Sequence, residues 1–86
     1  MEIIVYSTPL CPWCKKAKEF LRRRQHKFIE CDVSEEDHCR DELLHKTNQL
    51  AVPVIDINGK ILIGFDPEKL LEMIAKAKEE KVVLEE

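Results

Sequence analysis

The sequence predicts an α/β domain with the element order β-α-β-α-β-β-α, a four-stranded mixed sheet flanked by three helices. Three observations carry this. EIIVY (2–6) is an apolar run that reads as a strand buried on both faces, and a helical pattern follows it directly. VPVIDI, Asn58-Gly59 and KILIGF form a hairpin signal, because Asn-Gly fits the tight turn that joins antiparallel strands. Eighty-six residues leave room for one core, assigned to residues 1–80, with 81–86 read as a C-terminal extension.

The elements follow in order. After Ser7, Thr8 and Pro9, Pro12 suits a first helical position, where its missing N–H is not needed. Cys14, Ala17, Phe20 and Leu21 then recur at helical spacing, with Lys15, Lys16, Lys18, Glu19 and Arg22 to Arg24 mostly elsewhere. FIECDV (28–33) reads as a second strand, and strand–helix–strand implies a parallel pair joined by a crossover. Ser34, followed by Glu35, Glu36 and Asp37, is the expected start of a helix running to about Thr47. Pro67 opens the last helix, with Leu70, Leu71, Ile74 and Ala77 on its apolar face.

The 14 basic and 17 acidic residues leave a net charge of −3, too mild a balance to point to nucleic acid. MEIIVY lacks the basic-then-apolar pattern of a signal peptide, and no apolar run reaches membrane length. The expectation is a cytoplasmic monomer with no nucleic acid or membrane partner. In a reducing compartment, closely spaced cysteines are metal ligands or catalytic thiols more often than structural bridges.

Cys11-Pro12-Trp13-Cys14 is the chemical centre of this reading. Cys11 is placed where a strand ends and a helix begins, so unpaired N–H groups and the positive end of the helix dipole favour its thiolate. Cys14 shares the inward stripe of Ala17 and Leu21. An exposed nucleophile and a sheltered second thiol suit thiol–disulfide exchange through a mixed disulfide. A purely structural bridge over so short a loop gains little chain entropy. Val52-Pro53 precedes the third strand, and a proline there is either an ordinary strand start or a cis proline turning the Val52 backbone toward Cys11.

VYSTPLCPWC, QLAVPVI and NGKILIGFD, spread over residues 3–75, resemble the glutaredoxins of the thioredoxin superfamily. CPWC is similar to the CPYC of dithiol members, with Trp13 in place of tyrosine. The resemblance implies a thioredoxin fold of glutaredoxin type, Cys11 as nucleophile, Cys14 as resolving thiol and Pro53 in cis. It also implies a substrate surface drawn from Pro12, Trp13, Gln49, Val52, Pro53, Gly64, Phe65 and Asp66. Substrates would be disulfide-containing proteins or glutathione mixed disulfides, with no bound cofactor and glutathione as reductant.

The chain departs from that pattern at Thr8, where a lysine is usual, and at Phe65, which replaces the second of two glycines. GFDP is similar instead to the glutaredoxin-like electron donors of ribonucleotide reductase, which a thioredoxin-reductase-like flavoprotein reduces. Gly64 is then read as allowing close backbone approach, and Phe65 as a contact for the partner. A cluster-sharing iron–sulfur carrier is a further alternative, which Pro12 disfavours, and a redox-inactive binding module is another.

Cys31 and Cys39 read as small buried apolar side chains; the alternative is a bridge or regulatory oxidation, if both approach one strand–helix junction. The two cysteine pairs are placed too far apart for a four-ligand zinc site, so no metal ligand is assigned. His26, His38 and His45 read as exposed, and the basic first helix and acidic residues 32–42 as solvated faces or a means of steering an acidic partner.

Overall fold

The computed structural model describes residues 1–85, with side chains described through 79. Its elements are β1 (Ile3–Ser7), α1 (Pro12–Arg23), β2 (Ile29–Asp32), α2 (Asp37–Thr47), β3 (Val54–Ile57), β4 (Lys60–Ile63) and α3 (Pro67–Glu85). The sheet order is β2-β1-β3-β4. β1 and β2 are parallel, as the α1 crossover requires, and the other two pairs are antiparallel. The extension expected at 81–86 lies largely outside the described side chains; through residue 85 the backbone continues α3.

Strand alternation divides the interior in two. Ile3, Val5, Ile55, Ile57 and Leu62 pack with Ala17 and Leu21 of α1 and with Leu70, Ile74 and Ala77 of α3. Tyr6 and Val54 pack on the other face with Cys31, Cys39 and Leu43. Each fully buried leucine or isoleucine contributes about 1.5–3 kcal/mol through lost water contact. The second face also carries a polar network. Lys46 donates to Tyr6 Oη and, at 2.7 Å, to Asp56 Oδ2, while Gly59 N donates to Asp56 Oδ1 at 2.7 Å. Burial opposes the Lys46 charge, but its bonds to Asp56 and Tyr6 prevail and hold its pKa above the usual lysine value.

Two expectations need correction. Ser34 does not cap α2. Its N–H (2.9 Å) and hydroxyl (2.6 Å) both donate to Asp32 Oδ1, closing a local turn that delays the helix to Asp37. His26 is half-buried rather than exposed. Burial, with Lys78 and Arg24 nearby, holds its pKa below the ordinary histidine value. The Asn58-Gly59 turn has positive φ at both residues, 51° and 90°, as a tight hairpin needs.

Candidate functional site

One end of the sheet gathers the residues of interest. Ser7, the last residue of β1, is level with Asp32 of β2, and Tyr6 is level with Val54 of β3. Val54 is in turn level with Ile63 of β4. Cys11, Pro53 and Gly64 therefore all follow or precede strand termini at this one end.

Cys11 is the N-cap of α1, with extended backbone (φ −99°, ψ 110°), and is half-exposed. Its Sγ accepts a hydrogen bond from the Cys14 N–H at 3.1 Å. The sulfur thus takes the role that a serine or aspartate oxygen usually plays at a helix start, satisfying one of its orphan N–H groups. Pro12 at the first helical position leaves no N–H to compete. The turn is closed on the strand side by the Cys11 N–H, which donates to Thr8 O at 3.4 Å.

Cys14 is wholly buried, at 0% exposure. Burial, and then the hydrogen bond and charge of neighbouring Cys11, push its thiol up to about 12; the Thr8 backbone and Lys18 pull weakly the other way. Two thiols three residues apart are thus held in unlike surroundings, one half-exposed and one buried. Trp13 is 56% exposed beside them, with Lys16 Nζ 4.4 Å above its ring. Leu10, at 92% exposure, extends this apolar rim.

The Val52-Pro53 peptide is cis. Pro53 is buried, and its carbonyl accepts from Gly64 N at 2.8 Å, tying the loop before β3 to the segment after β4. Gly64 has φ +87°, and a Cβ placed there would meet nothing within 4 Å. The left-handed backbone is what favours glycine there, since the protein's own atoms leave the position open.

A profile of the Glutaredoxin family matches residues 3–62. The chain is 40% identical over 74 residues to an uncharacterized glutaredoxin-like 8.6 kDa protein of Clostridium pasteurianum, covering 86% of this chain and 99% of that one. This chain belongs to the glutaredoxin family. Among solved structures, the thioredoxin-like protein BC3987 superposes with a TM-score of 0.79 at 35% identity, covering 84% of this chain and 99% of that chain. The glutaredoxin-like NrdH-redoxin of Escherichia coli superposes at 0.74, covering 84% and 93%; at 21% identity it speaks for the thioredoxin-type fold alone. The chain is thus a glutaredoxin-like protein with the family's redox-active cysteine pair, and the family is typically one of thiol–disulfide oxidoreductases.

The other expected site residues divide. Pro12 and Trp13 flank Cys11 at the surface. Gln49 is exposed in the α2–β3 loop, where its backbone N–H and carbonyl are both held by Thr47 Oγ1. Val52 is half-buried and packs against the Tyr6–Cys31–Leu43 cluster. Phe65, expected to face a partner, is half-buried, with its ring 5.6 Å from Phe20 in an edge arrangement. Asp66 instead starts α3: its Oδ1 accepts from Lys69 N at 3.3 Å, with Pro67 as the first helical residue. Among the described residues no helix is long and apolar enough to cross a membrane.

Cys31 and Cys39 form a disulfide, which corrects their reading as free apolar side chains. Of the helix cations, Lys18 pairs with Glu30, Arg24 stacks on Phe20 at 3.8 Å, and Arg22 lies over Phe28 at 5.5 Å. Spacing alone does not reveal those partners, because Glu30 and Phe28 come from β2 and its approach.

Proposed function

We propose that this protein is a dithiol thiol–disulfide oxidoreductase that reduces protein disulfides or glutathione mixed disulfides. The observation that carries this is the unlike pair: a half-exposed Cys11 sulfur held by the Cys14 N–H at 3.1 Å, beside a buried, protonated Cys14. The Cys11 thiolate attacks one sulfur of the substrate disulfide, the other sulfur leaves as thiolate, and a mixed disulfide forms. That bond removes the negative sulfur next to Cys14, and with it one of the causes that keep its proton on. Cys14 then loses its proton, attacks Cys11 Sγ and expels the second substrate thiol. A two-electron donor returns Cys11–Cys14 to the dithiol. No bound cofactor takes part, and the working unit is a monomer.

Residues 64–67 favour a second reading of the donor, a thioredoxin-reductase-like flavoprotein in place of glutathione. Thr8 supplies no cation before Cys11, Phe65 is turned against Phe20, and Asp66 is engaged as a helix cap.

The experiment is reduction of a small glutathione mixed disulfide with glutathione, glutathione reductase and NADPH, alongside Cys11→Ser. Rapid NADPH loss that disappears in the variant supports the glutathione-dependent reading. No turnover there, with NADPH-dependent insulin reduction by thioredoxin reductase, supports the second. Failure of both assays, with Trp13 fluorescence unchanged by oxidant, overturns the oxidoreductase reading.

A further inference from the structure

Beyond the Cys11–Cys14 pair, the chain places a second sulfur centre on the opposite face of the sheet. Cys31 lies in edge strand β2, Cys39 in the first turn of α2, and their disulfide joins the two elements at a Cα–Cα distance of 5.5 Å. His38 adjoins them, with Nε2 3.6 Å from Cys39 Sγ. Its other ring nitrogen, Nδ1, lies 3.2 Å from Glu36 Oε2. The donor atoms of Cys31, His38 and Cys39 all fall within 4.8 Å of one another.

We propose that reduction of Cys31–Cys39 creates a binding site for a thiophilic d10 cation of the zinc type, held by Cys31 Sγ, Cys39 Sγ and His38 Nε2. Three observations converge on this. The first is spacing: sulfur and nitrogen ligands at the usual ~2.3 and ~2.1 Å from a tetrahedral zinc stand about 3.6 Å apart. His38 Nε2 and Cys39 Sγ already hold that separation. The second is the Glu36 carboxylate behind the imidazole. A metal-ligating histidine almost always passes its other N–H to such an acceptor, which orients the ring and raises its basicity. The third is charge, since residues 32–42 carry six carboxylates against the one cation Arg40, a balance that favours a bound cation. This three-residue set differs from the four-cysteine site excluded by chain layout, and it was hidden because His38 gains its place only through the fold.

A dithiol reductant gives two electrons and two protons to Cys31–Cys39, leaving two thiols and becoming a disulfide itself. The cation then displaces both thiol protons and takes two thiolates and one neutral imidazole. Water fills the fourth position, because the His38 side chain is 66% exposed whereas Cys31 and Cys39 are buried. A disulfide oxidant reverses this: it takes two electrons and leaves as two thiols, while both sulfur ligands join in one bond and the cation is released. The site is therefore open to metal only in the reduced protein.

The test uses the full chain carrying Cys11→Ser, reduced with dithiothreitol, freed of reductant without air and titrated with Co2+, then with Zn2+ in competition. The expected result is one cobalt per chain, with an intense thiolate-to-cobalt band and tetrahedral ligand-field bands, displaced by zinc and absent before reduction. His38→Ala removes an exposed side chain and spares the fold; it is expected to weaken binding by more than tenfold, and Glu36→Gln by about tenfold. X-ray absorption on the zinc-loaded Cys11→Ser chain is expected to count two sulfurs and two lighter neighbours, the His38 nitrogen and a water oxygen. The proposal is overturned if reduced protein shows no tetrahedral cobalt spectrum. Equal affinity in His38→Ala, or equal binding by the oxidised chain, overturns it as well. Because Cys11 is absent from the tested chain, the outcome is independent of the oxidoreductase reading.

Discussion

The division of labour between Cys11 and Cys14 can be tested by alkylation. Reduced protein exposed to iodoacetamide at about pH 7.5 is expected to be modified at Cys11 and spared at Cys14. Only thiolate reacts, and the Cys14 thiol is pushed up to about 12. At that pH roughly one Cys14 in 30,000 is ionised, against about one in ten for an ordinary cysteine near 8.5. Ionisation alone therefore slows Cys14 by roughly 3,000-fold, and its 0% exposure slows it further. Cys31 and Cys39, whose disulfide the same reductant opens, are read as separate sites and do not enter the comparison. The assay is a time course read by mass spectrometry of the two cysteine sites, with a guanidinium-unfolded sample as the control in which both react. Labelling of Cys14 within about tenfold of the Cys11 rate would refute the argument. Cys11→Ser sharpens it: burial is the larger cause, so Cys14 is expected to stay unlabelled with Cys11 gone.

Three further outcomes follow from the same geometry. The folded chain keeps the Cys14 proton to about 12, while an unfolded cysteine releases it near 8.5; this contribution to stability is complete below that lower value and declines as pH rises toward the upper one. Denaturant titrations of the reduced protein should accordingly show stability falling between those two values in wild type, with this decline absent in Cys14→Ala. Lys46→Ala strips Asp56 of its ammonium partner on the buried second face and is expected to cost about 1–3 kcal/mol, lowering Tm by roughly 5–20 °C; an unchanged melting curve would show the network to be idle. Gly64→Ala, at φ +87° with open space around it, is expected to cost on the order of 1–2 kcal/mol through backbone strain alone, read by thermal melting.

The fold was legible wherever one local signal sufficed. Asn58-Gly59 named its hairpin, Pro12 and Pro67 marked two helix starts, and the stripe of Cys14, Ala17 and Leu21 told which face of α1 is buried. The nucleophile could also be located, because a cysteine directly before a helix is a property of order along the chain. Position across the sheet was not legible. Phe65, for instance, meets Phe20 of α1, a contact that no spacing encodes.

The misreading of Cys31 and Cys39 has a more specific physical origin. A helix beginning at Ser34 would put Cys39 more than a turn inside α2, at 1.5 Å of rise per residue. The Asp32 carboxylate instead captures the Ser34 N–H and hydroxyl, and also the Glu35 N–H at 3.3 Å. Those bonds hold the Asp32 carboxyl below its ordinary pKa, the Ser34 side chain being the largest cause. They also spend three residues on a turn. Cys39 then falls in the first turn of α2, directly over β2, where its Cα stands 5.5 Å from that of Cys31. The same delay sets Glu36 at the N-cap of α2, with its carboxylate 3.2 Å from His38 Nδ1. Asp32→Ala, by freeing Ser34 to cap, is expected to lengthen α2 toward its N-terminus and move Cys39 away from Cys31. Slower re-formation of the Cys31–Cys39 disulfide after reduction, followed by thiol quantification, is the measurable consequence; an unchanged rate would mean that Asp32 does not set this register.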